Sequence, residues 1–231
     1  MAWVIFLLVL GVMGALVWAS ASIRSGVYLK ALCEARTEER KVALTFDDGP
    51  DEEMTPRVLA ILRRYRAQAT FFVVGDKVRK HPELVQRILA DGHTLGNHTL
   101  SHNPLATLYS ARRYHEELFW GGDLVERLTG RRMRLFRPPF GVTNPPIARA
   151  VKALGLTCIG WSVRSLDTTR LGREQVLRRI EKGLKPGAVV LLHDRLPESD
   201  RLLEEVLKLL ERENYKAVTV DELFAIEAYE K

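Results

Sequence analysis

A chain of 231 residues with 46% hydrophobic and 28% charged side chains has the composition of a globular domain with a full core, which excludes a disordered chain. Two cysteines, Cys33 and Cys158, are too few for a disulfide framework and lack metal-site spacing. The net charge of +6 favours anionic surroundings, but the densest basic spot (Arg131, Arg132, Arg134) has no interleaved aromatics, which argues against a nucleic-acid platform.

Residues 2–19 are almost uninterrupted apolar side chains, with Trp3 and Trp18 at the two ends and no charge before Arg24. That length suits a bilayer core, and tryptophans favour its interfaces. Ala19-Ser20-Ala21 resembles a small-residue cleavage site. The expectation is an uncleaved single-pass anchor over residues 1–22, or a secreted domain if the segment is cleaved. Arg24, Lys30 and Arg36 follow the span and no basic residue precedes it, a pattern the positive-inside rule associates with a cytoplasmic domain. Residues 23–40 are polar, mixed in charge, and expected to form a linker to a domain over residues 41–231. No stretch singles out a protein partner.

From Lys41 onward strand-like and helix-like patterns alternate. Strands are expected over residues 42–46, 70–74, 94–97, 133–136, 156–161, 188–192 and 217–220. Helices are expected over residues 56–66, 82–90, 110–128, 146–154, 174–182 and 200–212, with residues 221–229 closing the chain. Pro56, Pro82 and Pro146 fall near first helical turns, and Gly92, Gly130 and Gly155 just past helix ends. Repeated strand–helix units imply parallel strands joined by right-handed crossovers. The expected fold is α/β, a distorted or incomplete (β/α) barrel of about seven parallel strands, with a doubly wound open sheet as the alternative.

Barrels of this kind carry their chemistry in the loops after the strands. Asp47-Asp48 follow the first expected strand, His98 and His102 the third, Arg137 the fourth, Asp167 the fifth, and His193-Asp194 the sixth. Two adjacent carboxylates repel each other unless a cation compensates, so the pair holds a metal, serves as a base, or does one of each. The bland alternative is a turn cap. Two imidazoles at i and i+4 face the same way on one helical turn, and two His with a carboxylate are a common zinc set. Arg137-Pro138-Pro139-Phe140-Gly141 is a rigid loop whose Arg can fork onto a carboxylate. His81, His93 and His115 read as structural or solvated.

Thr45-Phe46-Asp47-Asp48-Gly49, His98-Thr99-Leu100-Ser101-His102, Arg137-Pro138-Pro139-Phe140-Gly141 and Leu191-Leu192-His193 occur in that order. Together they closely resemble the polysaccharide deacetylase family with the NodB homology domain, also called carbohydrate esterase family 4. The resemblance implies Asp47 as general base, His193 as general acid, and Asp48, His98 and His102 as ligands of a divalent metal. Zn²⁺ is the first candidate, with Co²⁺, Ni²⁺ or Mn²⁺ as substitutes. It further implies Arg137 as the partner of the base, Asp167 as the residue orienting the catalytic His, and Phe140, Trp161 and Leu191 as substrate contacts. The implied substrate is an N-acetylated polysaccharide containing N-acetylglucosamine, peptidoglycan or chitin-like, met outside the membrane.

Two positions depart from the pattern. Arg164 stands where an acidic residue is common, and Thr168 replaces the Trp that usually follows the Asp. The rival readings are an O-acetyl esterase using the same site and a metal-bound glycan-binding module without turnover.

Overall fold

The computed structural model describes residues 1–230. Helix α1 (Ala2–Ala21) is apolar along its whole length and largely exposed. Its twenty residues reach about 30 Å, enough to cross a hydrocarbon core. A signal sequence would have the same length and composition.

The domain then runs β1 (Lys41–Gly49), α2 (Met54–Arg64), β2 (Thr70–Val73), α3 (Gly75–Lys80), α4 (Pro82–Ala90), β3 (Thr94–Asn97) and α5 (Ala111–Thr129). It continues through β4 (Leu135–Phe136), α6 (Pro145–Ala153), β5 (Thr157–Cys158), β6 (Val163–Arg164) and α7 (Arg173–Gly183). β7 (Val189–His193), α8 (Ser199–Arg212), β8 (Lys216–Val218) and α9 (Val220–Phe224) complete it. The strands lie in the order β5-β4-β3-β2-β1-β7-β6, every pairing parallel, with β8 added to the first residues of β1. This is the expected incomplete barrel.

The curvature follows from connectivity. Seven strands laid flat would hold the outer two about 29 Å apart. Yet β5 and β6, at opposite edges, are joined by residues 159–162 alone, a span of at most about 18 Å. The sheet must curl to bring its edges together. The segment expected as one strand over residues 156–161 is therefore two short strands, one pairing each edge, with a crossing between them.

The crossing leaves backbone groups that need partners. The segment expected as a linker supplies them: Leu32 N–H donates to Cys158 O at 2.9 Å and Gly160 N–H to Leu32 O at 2.9 Å, while Ala35 N–H donates to Gly187 O, just before β7, at 2.8 Å. Leu32 bridges Ile159 and Glu34 bridges Ala188, while Ile23 and Cys33 are buried. Residues 23–40 are thus partly docked onto the domain, a correction to the linker expectation that its polar composition concealed. The end of α1 is held too, through Ser20, whose carbonyl accepts from Thr143 N–H at 2.9 Å and whose hydroxyl donates to Thr143 O at 2.6 Å.

Side-chain alternation along β1 divides the interior. Val42, Leu44 and Phe46 point outward into the main core with Val58, Leu59 and Leu62 of α2 and Leu203, Val206 and Leu210 of α8. Each such buried aliphatic contributes about 1.5–3 kcal/mol. Ala43 points into the barrel with Phe72, Leu135, Ile159 and Val189. Thr45 and Asp47 share that inward parity and carry polarity to its carboxyl end.

Candidate active site

Strict alternation would send Asp47 and Asp48 to opposite faces of β1. The pairing with β2 shifts register between Asp47 and Gly49, and Asp48 adopts a left-handed backbone (φ 72°). This β-bulge re-aims Asp48 so that both carboxylates reach the mouth. Gly49 must be small, because a Cβ there would lie 2.5 Å from the Asp194 carboxylate.

His98 and His102 also meet, but not on the helical turn their spacing suggested. Residues 98–103 form an irregular loop in which Thr99 (φ 69°) and His102 (φ 50°) are left-handed. Thr99 Oγ1 accepts from His102 N–H at 3.1 Å, and Asn97 Oδ1 accepts from Thr99 N–H at 2.8 Å. The imidazole centroids stand 5.0 Å apart. Phe140 (φ 61°) and Leu166 (φ 63°) are left-handed as well. Such residues cost about 1–3 kcal/mol each, and strain of this kind concentrates where side-chain aim matters more than stability.

His98 Nε2 lies 3.3 Å and His102 Nε2 3.1 Å from Asp48 Oδ1. His98 Nδ1 donates to the Arg137 carbonyl at 2.8 Å, which turns Nε2 toward Asp48; a neutral ring would offer that nitrogen to a metal, and a protonated ring donates from it to the carboxylate. Bonds of about 2.0–2.1 Å to a tetrahedral Zn²⁺ place donors about 3.3 Å apart, which both Asp48–histidine distances match, and all three donor atoms lie within 4.8 Å of one another. Burial alone would raise the Asp48 pKa, but hydrogen bonding to His102 and His98 holds it well below the usual carboxylate range.

Arg137 is fully buried and ties the barrel interior together. Its Nη1 donates to Asp47 Oδ1 at 2.8 Å and Thr45 Oγ1 at 2.7 Å, Nη2 to Gly160 O at 2.8 Å, and Nε to Ile159 O at 3.2 Å. The guanidinium carbon also sits 4.2 Å from the centre of the Phe72 ring. The Pro-rich loop that follows brings Phe140 against His102, ring centroids 5.0 Å apart, and Gly141 under Trp161. Gly141 combines a φ of 70° with a Trp161 ring atom 2.5 Å from any Cβ, so no other residue fits without displacing the indole.

Parallel register puts His193 of β7 directly opposite Asp47 of β1. Asp167 holds His193 twice, accepting from its backbone N–H at 2.9 Å and from Nδ1 at 2.8 Å. Burial would lower the His193 pKa, but the hydrogen bond and charge of Asp167, with Asp47 and Asp48 beyond, outweigh it and raise the value. Asp47, Asp48, His98, His102, Phe140, Trp161, Asp167, Leu191 and His193 line one cavity of about 200 Å³, with Arg137 behind it.

Beside His193, Arg195 was missed in the sequence reading, and Asp194 was placed at this edge without a role. Arg195 donates from Nε to Asp48 Oδ2 at 2.7 Å, the carboxylate oxygen turned away from the histidines. Asp194 is fully buried, takes the Thr55 hydroxyl on Oδ2, and has no hydrogen-bond partner for Oδ1 among the described residues. Burial pushes its pKa up to about 6. The place of Arg195 in the loop after a strand was the available signal; no spacing marks it.

The profile of the polysaccharide deacetylase family matches residues 34–159, and the chain belongs to that family. It is similar to a peptidoglycan-N-acetylglucosamine deacetylase of Bacillus cereus, 36% identical over 82% of this chain and 91% of the relative. A peptidoglycan-N-acetylmuramic acid deacetylase of Bacillus subtilis, PdaA, is 32% identical over 81% of this chain and 72% of its own. The crystal structure of the Bc1960 peptidoglycan N-acetylglucosamine deacetylase superposes with a TM-score of 0.79 at 30% identity, covering 86% of this chain and 94% of that one. The protein is accordingly a polysaccharide deacetylase with a NodB-type half-barrel.

Proposed function

We propose that the chain hydrolyses N-acetyl groups of an N-acetylglucosamine-containing wall polysaccharide, using one divalent metal held by Asp48, His98 and His102. The observation that carries this reading is the convergence of Asp47, His193 and the Asp48–His98–His102 cluster on one cavity. Names of relatives that act on peptidoglycan support the polymer. The metal, when bound, supplies Lewis acidity toward the acetamide carbonyl and acidifies water.

Every other step belongs to the chain. Asp47 takes the proton of the attacking water as its oxygen bonds to the carbonyl carbon, and Arg137 fixes which carboxylate oxygen is presented. The Phe140 N–H donates to the oxyanion, an interaction worth about 3 kcal/mol in such sites. His193, kept protonated to higher pH by Asp167, passes a proton to the departing nitrogen as the C–N bond breaks. Acetate and a free amine result. Leu191 closes the pocket around the acetyl methyl, and Trp161 offers an apolar wall to the sugar. Helix α1 holds the domain to the outer face of the membrane, within reach of the wall.

Acetate release from peptidoglycan by the full chain tests this. Release that chelator abolishes and Asp47→Asn removes supports it; folded, metal-loaded protein that frees no acetate refutes it.

A further inference from the structure

Past helix α1, the most exposed large apolar side chains are Leu105 and Leu108, at 62% and 80%. Both belong to the 3₁₀ turn Pro104–Leu108, where residues three apart eclipse, so the two leucines form one outward ridge. The ridge is held in place from below. Asn103 Oδ1 accepts from Leu105 N–H at 2.8 Å, Ala106 is buried, and the Thr107 carbonyl accepts from Asn144 Nδ2 at 2.7 Å. A fixed turn that presents two leucines to water has an apolar face still to bury.

The loop that braces this turn also grips helix α1. Thr143, next to Asn144, makes both hydrogen bonds to Ser20, at 2.9 Å and 2.6 Å. Ala19 and Ile23, on either side of that contact, are buried, and Ile23 belongs to the same apolar cluster as Ala106. Trp18 is exposed and lies about 3 Å from Ser20 along the helix axis. Tryptophan favours the membrane interface, a layer about 5–8 Å thick on each side of the hydrocarbon core. A bilayer that takes up α1 therefore ends at the level of Thr143, with the leucine ridge beside it. Arg113 of α5 and Arg149 of α6, both exposed on helices that begin just after the two loops, give this region positive charge suited to anionic headgroups.

We infer that the domain rests on the bilayer that holds its anchor, with Leu105 and Leu108 set into the interface as a second point of attachment. This docking rests on the anchored reading above and gives the domain an orientation that a single tether would leave free. His102 lies three residues before Leu105, and Phe140 four before Asn144, so the rim of the cavity sits beside the lipid surface. A glycan chain is the rival occupant of the ridge, and it predicts leucines that stay in water until the sugar binds.

The test places the full chain in vesicles of phosphatidylglycerol and phosphatidylcholine and follows an environment-sensitive fluorophore on Leu105→Cys or Leu108→Cys. Cys33 and Cys158 are buried, so the label goes to the introduced thiol. The control is Glu211→Cys, exposed at the end of α8 just before β8. The expected result is a blue shift at Leu105→Cys and Leu108→Cys, loss of their emission to lipids spin-labelled near the headgroup, and neither effect at Glu211→Cys. An alkaline carbonate wash of the same vesicles reports the anchor separately. Water-like emission at both leucine positions in chain that resists the wash overturns the docking and leaves the anchor intact; so does emission that shifts only when N-acetylglucosamine oligomer is added. Equal quenching at Glu211→Cys overturns it as well. Chain that the wash removes overturns the anchor, and the docking with it, while acetate release still judges the deacetylase reading.

Discussion

Replacing Arg137 by Met tests how far the site and the fold are one structure. The methionine fills similar space but leaves Asp47, buried beside the cavity, without its ion partner, and frees the Gly160 and Ile159 carbonyls. Breaking a buried pair from one side costs about 3–5 kcal/mol, and each orphaned carbonyl adds about 1–3 kcal/mol where it stays dry. Taking about 4 kcal/mol as a floor, and about 2–4 °C per kcal/mol for a domain of this size, Tm falls by about 8–16 °C. The double variant Asp47→Asn/Arg137→Met removes both charges and recovers about 2 kcal/mol of that loss. Thermal unfolding followed by circular dichroism at fixed metal concentration measures both values. An Arg137→Met protein that melts within about 2 °C of the parent, or a double variant no better than the single, refutes Arg137 as the brace of the barrel interior.

Three further outcomes follow from the same geometry. Asp167→Asn removes the charge and weakens the hydrogen bond that do most to raise the His193 pKa, leaving only the more distant Asp47 and Asp48 charges against burial, which lowers it, so the alkaline limb of the kcat/KM profile moves to lower pH. The rate falls about a hundredfold, the scale of general acid catalysis, and an unmoved limb contradicts the role given to Asp167. Metal analysis of the purified chain should find one bound ion, with affinity weakened more than about a hundredfold by Asp48→Asn and about tenfold by Arg195→Ala. Unchanged affinity in Asp48→Asn rules that ligand set out. Asp194 has a folded pKa of about 6, above its ordinary value, so the folded state binds the proton more tightly than the unfolded chain. Its contribution to stability is therefore greatest in acid and declines as pH rises from about 4 through about 6. Relative to the parent, Asp194→Asn should gain about 2–3 kcal/mol between pH 4 and pH 7 in urea unfolding, and parallel profiles would show that Asp194 does not titrate this way.

The strands at Thr70–Val73, Thr94–Asn97 and Val189–His193 were legible because apolar runs bounded by turn residues report buried parallel strands directly. The convergence of Asp47, His98, Arg137 and His193 was legible too, since each ends such a run. What escaped depended on contacts between distant segments. No local pattern shows that residues 156–161 must divide between two sheet edges, or that Leu32 pairs with the crossing between them while Glu34 and Ala35 pair with the start of β7. The bulge at Asp48 and the left-handed Thr99 and His102 were equally hidden, because a positive φ is rare for threonine and, though commoner for aspartate and histidine, is still the exception for them. Arg195 looked like one more surface arginine; only folding brings it to Asp48.

The most direct measurement of the central claim is acetate released from purified peptidoglycan by the full chain, before and after chelation and after restoring Zn²⁺. Release that stops on chelation, returns with the metal, and is absent in Asp47→Asn is the predicted result. Acetate released at an undiminished rate by chelated protein, or none from folded protein shown to hold its metal, would contradict a deacetylase built on Asp47, His193 and the Asp48–His98–His102 centre.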